Sequence, residues 1–304
     1  MRKLGLLALA CSAALAGPAS AQDRITRAAA QVPGFFEKQN LKFPVKPVKD
    51  VAYAADGKRE KRHRLDLYLP KGVKDFPVFF FVHGGGWRSG SKDLYTRIGE
   101  LFAGNGVGTV IINYRLSPRV KHPAHIRDVA RALAWTYENI GKYGGRKDRI
   151  FAAGHSAGGH LVALLAADEK YLKAEKLTRE VLRGVIPMSG VYITLPDIMM
   201  QSVFGVNREV RENAFPITHL VKAVAKKLPP FLVIYADKDL PLIDKMSQQF
   251  HKALQAVECD TTELEVKGRN HYTIILGAMV QRDPTTQAIL RFIKKHAELP
   301  KAGE

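Results

Sequence analysis

The stretch "RIFAAGHSAGGH", residues 149–160, sets Ser156 between Gly154 and Gly158, directly after an apolar run. A serine in an ordinary loop needs no glycine two positions away on each side. Glycines at that spacing serve a chain that turns sharply from a strand into a helix, where any side chain would strike its neighbours. The run before the serine has strand length, and "AGGHLVALLAADEK" after it reads as a helix. Such a turn lifts the serine hydroxyl to the top of a sheet, which makes Ser156 a candidate nucleophile.

The flanking sequence supplies the sheet. "PVFFFVHG" (77–84), "GVGTVIINYR" (106–115), "GVIPMSG" (184–190) and "FLVIYAD" (231–237) are continuous apolar runs, as in strands buried on both faces of a parallel sheet. "VAYAA" (51–55) follows a Pro-rich lead and reads as a first strand. "HRLDLYLP" (63–70) and "TTELEVKG" (261–268) alternate; the former predicts a half-buried strand and the latter an edge strand. Helices are predicted over 91–106, from a Ser cap to a Gly stop, and over 123–145, 241–257 and 285–298. Ile126, Val129, Ala130, Leu133, Ala134 and Tyr137 share one face of the second of these. Strands alternating with helices predict a mostly parallel, eight-stranded doubly wound sheet in a single domain over 22–304. Residues 191–229 interrupt the alternation with two helical patterns and no strand, which predicts a helical lid insertion.

A serine becomes a nucleophile only beside a base, and the base needs a partner that fixes its tautomer. Both should follow Ser156 on loops after later strands. "VKGRNHYTI" offers His271, and "FLVIYADKDLP" offers Asp239, with Asp237 as its rival. The negative oxygen of a tetrahedral intermediate also needs preset N–H donors. "HGGGW" (83–87) follows the strand "PVFFFV", so the N–H groups of Gly85, Gly86 and Ala157 are the candidate oxyanion hole. His83 is expected to orient that loop. Trp87, His155, Tyr192 and Tyr272 are candidate substrate contacts, with Met199, Met200 and Phe204 as further pocket residues. His160 is expected to pack within its helix, and His122 and His125 to be solvated at a helix start. No His and carboxylate residues show ligand spacing, so neither a metal nor another cofactor is expected.

Residues 1–21 combine Arg2 and Lys3, an apolar run from Leu4 to Ala16 and "ASA" before Gln22. This predicts a secretory signal cleaved after Ala21, and hence a periplasmic or secreted protein. The run is too short to span a bilayer. Cleavage removes Cys11 and leaves Cys259 without a disulfide partner. The 304 residues carry a net charge of +18, with 47 Lys and Arg against 29 Asp and Glu. Basic residues are scattered and accompany no nucleic-acid-binding motif, so no nucleic-acid partner is expected, and anionic surface contacts are a secondary outcome of the charge.

Taken together, "HGGGWRSGSKD", "INYRLSP", "RIFAAGHSAGGHLVALLA", "YADKDLP" and "GRNHYTI" resemble the α/β-hydrolase superfamily. Within it the likeness is to the HGGG-type esterases: the hormone-sensitive-lipase-like and bacterial feruloyl/acetyl-esterase-like group, related to kynurenine formamidase. The resemblance implies an α/β-hydrolase fold and hydrolysis of short-chain or aryl esters through an acyl-enzyme, without a metal. It places the acid at the second position of D-x-D, Asp239. An arylformamidase or amidase would use the same triad, and a non-catalytic binding protein on this fold is a third reading.

Overall fold

Eight strands form one sheet in the order β1-β2-β4-β3-β5-β6-β7-β8. They are β1 (Val45–Ala52), β2 (Arg64–Pro70), β3 (Phe76–Val82), β4 (Gly108–Ile112), β5 (Gly145–His155), β6 (Leu182–Met188), β7 (Phe231–Lys238) and β8 (Thr261–Asn270). Pairing is antiparallel for β1–β2 and β2–β4 and parallel from β4 through to β8. This computed structural model describes residues 26–55, 60–194, 198–220 and 228–297. The signal segment lies outside the described residues, as does the side chain of Met199.

The helices are α1 (Thr96–Gly104), α2 (Ala124–Asn139), α3 (Ala157–Ala167), α4 (Lys170–Ala174), α5 (Ile198–Phe204), α6 (Arg208–Glu212), α7 (Pro216–Leu220), α8 (Ile243–Ala256), α9 (Thr273–Gly277) and α10 (Pro284–Ala297). They cover both faces of the sheet. On one, Ile126 and Val129 of α2, Leu161 and Leu165 of α3 and Phe250 of α8 pack on Phe80, Val110 and Ala152. On the other, Ile98 and Phe102 of α1 and Ile289 and Phe292 of α10 pack on Phe79, Phe81 and Phe151. The alternation of Phe79, Phe80 and Phe81 between two cores explains why β3 reads as an unbroken apolar run.

Two expectations need correction. The first strand starts at Val45, inside the Pro-rich lead. Pro47 is tolerated because β1 is an edge strand, where one row of N–H groups needs no ladder partner. β2 is buried on both faces and not on one. Its polar positions hide because neighbouring elements cover them: the Asp66 carboxylate takes ion pairs from Lys49 of β1 and from Lys92 just before α1, each at 3.0 Å, and the Tyr68 hydroxyl bonds Thr96 of α1. A paired carboxylate can therefore sit in the core and mimic an outward-facing residue in the sequence.

The remaining elements follow their local chemistry. Ser91 caps a single 3-10 turn, Lys92–Tyr95, before α1 begins. Beyond α2, a 3-10 turn at Ile140–Tyr143 ends at Gly144, whose φ of 90° is open to glycine at little cost. β8 is an exposed edge strand, as its alternation implies. Between β6 and β7 the described residues hold α5, α6 and α7. Helix α6 was not evident from hydropathy; its start is fixed by Asn207, which accepts from the Val210 N–H at 3.1 Å.

Candidate active site

Strand β5 ends at His155 and helix α3 begins at Ala157, so one residue makes the whole turn. That residue, Ser156, has φ 55° and ψ −118°. A non-glycine residue held there costs on the order of 1–3 kcal/mol, which the surrounding packing must supply. The two glycines make the turn possible. A Cβ on Gly154 would lie 2.4 Å from the Gly158 carbonyl carbon, and one on Gly158 would lie 2.1 Å from the Val82 carbonyl oxygen. Strand β3, strand β5 and α3 thus meet closer than any side chain permits.

The loop after β8 brings His271 to this serine. Asn270 shapes it: its side-chain oxygen accepts from the N–H groups of Tyr272 and Thr273 at 3.0 and 2.9 Å. The His271 Nε2 lies 3.0 Å from the Ser156 Oγ, and its Nδ1 lies 2.6 Å from the Asp239 Oδ1. Only a proton on Nδ1 satisfies the carboxylate, which leaves Nε2 as an acceptor for the serine hydroxyl. Asp239 is buried, and burial alone would raise its pKa. The hydrogen bonds from His271, the Ser189 hydroxyl and the Ala236 N–H reverse that, holding it below the ordinary carboxylate range. Asp237 is placed otherwise. It accepts from the Arg269 N–H at 3.1 Å, tying β7 to β8, and does not approach the imidazole.

Facing the serine is the turn after β3. Gly85, Gly86 and Trp87 have φ of 118°, 59° and 58°, three successive left-handed residues. The Gly85 carbonyl is turned inward, accepting from the N–H groups of Arg88 and Ser89 at 3.1 and 3.0 Å. A Cβ on Gly86 would meet nothing within 4 Å, so the loop borders open space there. The Ala157 N–H stands in the first turn of α3, where an N–H has no carbonyl partner within its helix.

A family model described as BD-FAE matches residues 65–185. Esterase LipC of Mycobacterium tuberculosis is 32% identical over 256 residues, covering 76% of this chain and 62% of that protein. Esterase LipQ of the same organism is 33% identical over 268 residues, covering 80% and 61%. The chain thus spans about three fifths of the length of these curated relatives. Esterase B from Lactobacillus rhamnosis superposes with a TM-score of 0.75 over 98% of this chain and 97% of that one, at 19% identity. The chain has the α/β-hydrolase fold.

The histidines around the site sort by what they touch. His83 is fully buried and stacks on Tyr114 at 4.4 Å. Its Nδ1 donates to the Gly84 carbonyl at 2.8 Å and its Nε2 accepts from Arg62 at 3.1 Å, so it braces the glycine loop as expected. Burial pushes its pKa down to about 3, keeping it neutral. The sequence makes His155 a candidate substrate contact. It lies beneath the site instead, 5% exposed, donating from Nε2 to the His271 carbonyl at 2.8 Å. Burial and the neighbouring His271 lower its pKa to about 3, so it supports the imidazole's backbone as a neutral ring.

Two other candidate contacts are also packing residues. The Tyr192 ring is fully buried and stacks flat on Phe250 at 4.3 Å. Trp87 is 1% exposed and its Nε1 donates to the His160 Nδ1 at 3.2 Å. His160 passes that contact on, donating from Nε2 to the Ala214 carbonyl at 2.8 Å. It therefore packs as expected, and also joins the glycine loop, the elbow helix and the insertion. Phe204 and Phe215 complete the cluster around it, with rings 5.6 and 5.3 Å away. Met200 is buried as well, whereas Tyr272, beside His271, is 45% exposed and remains a surface that a ligand can touch.

His125 is buried and His122 half-buried, so neither is a freely solvated helix-start residue. His125 is 1% exposed with Nε2 on the Ser117 hydroxyl at 3.1 Å, and His122 bonds Tyr171 at 3.2 Å. Burial lowers them to about 4 and about 3. Among the described residues no group of three or more His, Cys, Asp or Glu is placed to hold a metal ion, and no helix is long and apolar enough to cross a membrane. Cys259 follows α8; burial and Asp260 push its thiol up to about 12, an unreactive state. One residue of the site was missed in the sequence. Ser189, just past β6, donates its hydroxyl to the Asp239 Oδ2 at 2.5 Å. Its only sequence signal is the polar residue that closes the apolar run "GVIPM".

Proposed function

We propose that this protein is a serine hydrolase of carboxylic esters with short acyl or aryl groups, acting through an acyl-enzyme. The observation that carries the reading is the unbroken chain from the Ser156 Oγ through His271 to the Asp239 carboxylate, at 3.0 and 2.6 Å. The names of the relatives, esterases LipC and LipQ, support it.

In this reading the Ser156 Oγ attacks the ester carbonyl carbon while its proton passes to the His271 Nε2. Asp239 holds the Nδ1 proton and stabilises the imidazolium that forms. The carbonyl oxygen takes the negative charge and turns to the N–H groups of Gly85, Gly86 and Ala157, whose directions are fixed before substrate arrives. The intermediate collapses, the C–O bond to the alcohol breaks, and His271 returns its proton to the leaving oxygen. Water then adds to the acyl carbon, giving a proton to the same Nε2. The acid leaves and the serine hydroxyl is restored. The insertion carrying α5 to α7 acts as a lid over the acyl group, with Val206 and Val210 offering exposed apolar surface.

The test is turnover of p-nitrophenyl acetate by wild type and Ser156→Ala, followed by a panel of acetylated xylan, feruloyl esters, aryl esters and N-formylkynurenine. Loss of turnover by about 10⁶ with an unchanged far-UV spectrum is expected. Retained turnover in the variant contradicts the reading, and preference for the formamide reassigns the substrate.

A further inference from the structure

The opposite end of the sheet carries a second feature. An open cleft of about 520 Å³ is lined by Pro77 at the start of β3, by Val107 just before β4, and by Arg149 of β5. Helix α10 closes one side with Arg291, Ile293 and Lys294, and Lys42 enters from the segment before β1. The serine stands at the far ends of these strands. Strand β3 has seven residues, so the two sites are roughly 20 Å apart along it.

The cleft's charge is one-sided. Four cationic side chains line it, Lys42, Arg149, Arg291 and Lys294, and no Asp or Glu does. Among the described residues none of the four makes an ion pair or a side-chain hydrogen bond. Cations elsewhere in the chain are matched: Lys92 meets Asp50, Asp66 and Asp93, and Arg115 meets Asp128. The Arg149 Nε is out of contact with solvent and has no partner. A guanidinium has five donors in a fixed fork, and a buried donor left unpaired is unusual in a folded protein. Lys294 in the last turn of α10 is explained by the negative end of that helix. That explanation covers neither Arg149 nor Lys42, which arrive from other elements. Val107 and Ile293 are buried beneath the cations and give the cleft an apolar floor. Gln287 is held on the rim by its bond to the Gln281 carbonyl at 2.6 Å.

We propose that this cleft binds a small polyanion, a molecule carrying two or more phosphate, sulfate or carboxylate groups, independently of the hydrolytic site. Like charges converging from three elements repel one another, and an anion seated among them relieves the repulsion and supplies acceptors to the Arg149 fork. The floor fits a ligand with a short carbon skeleton or a bridging oxygen between its anionic groups. Binding is expected to weaken with salt, though less than at a fully exposed patch.

The experiment is calorimetric titration of the full chain with sodium pyrophosphate and, separately, citrate, at about 0.15 M salt. Saturable one-to-one binding of at least one is expected, and the stronger tells whether the natural source is a phosphate or a polycarboxylate. Arg149→Gln with Arg291→Gln should weaken it at least tenfold while turnover of p-nitrophenyl acetate is unchanged. Lys42→Gln with Lys294→Gln, both at exposed positions, gives the same reading if the arginine pair fails to fold. Exposed cations elsewhere, Arg208→Gln with Lys267→Gln, should leave binding intact. No saturable heat with either anion up to about 10 mM, or equal affinity in wild type and both cleft variants, overturns the proposal.

Discussion

The elbow and the insertion between β6 and β7 are built differently. From Gly154 to Ala167 the elbow is buried at every position but Ser156, and its backbone is held at close approach by β3. The insertion offers three helices of seven, five and five residues, with Val206 78% and Val210 41% exposed. Its anchorage to the rest is local: the His122 N–H on the Val203 carbonyl, the Arg88 guanidinium on the Ser202 hydroxyl, and His160 on Ala214. Close backbone approach fixes the elbow, whereas the insertion buries an inner side, Met200, Val203, Phe204 and Phe215, and presents Val206 and Val210 outward.

The largest effect that sharpens this contrast is at the acid. Asp239→Asn leaves the fold unchanged but presents an amide to the His271 Nδ1, so kcat should fall by about 10⁴. Asp237→Asn touches only the β7–β8 junction and should cost less than about tenfold. Steady-state kinetics on both variants checks the pair, and the reverse order of losses breaks it.

Trp87→Phe keeps an aromatic side chain but replaces the indole with a smaller phenyl ring and removes the donor that reaches His160. With the left-handed turn at Gly85 and Gly86 less well held, kcat should fall between about ten- and a hundredfold with KM little changed. A rise in KM alone would place Trp87 in substrate binding and undo its assignment to the framework.

Acid should loosen the elbow before the insertion. His83, His155 and His160 surround it, each lowered by burial to about 3, against about 6.5 in an unfolded chain. The unfolded chain therefore binds more protons, and stability drops as pH falls from about 6.5 toward 3. One such histidine accounts for a loss of up to about 2 kcal/mol by pH 5. Thermal unfolding at pH 7 and pH 5 measures it; the midpoint should fall, and His160→Gln should fall less. An equal fall in both would separate His160 from the effect.

How much of this was legible follows from local chemistry. The elbow announces itself because close backbone approach admits only glycine, and glycine is visible in a sequence. Asp239 and His271 were legible through strand ends and chain order. Asp66, His125 and Ser189 were not, since their burial depends on partners set by the tertiary fold: Lys49 and Lys92, Ser117, and Asp239 itself. In the sequence Trp87 and Tyr192 suit a pocket wall and a packing role equally, since both are large apolar side chains near the serine. Only packing on His160 and Phe250 decides between them.

The smallest effect belongs to the insertion. Val206→Ser with Val210→Ser should raise KM a few-fold for long acyl chains and leave acetate turnover unchanged, since each exposed valine contributes no more than about 1–2 kcal/mol of apolar contact. Kinetics across an acyl-length series reads this directly.

The central claim is that the strained serine at the elbow carries the acyl group. A stopped-flow burst with p-nitrophenyl acetate, quenched in acid and digested for peptide mass measurement, tests it most directly. One equivalent of p-nitrophenol in the burst, and an acetyl group on the peptide containing Ser156, are the expected results. A full burst with the acetyl group on any other residue, or steady turnover in Ser156→Ala at the wild-type rate, would contradict the account.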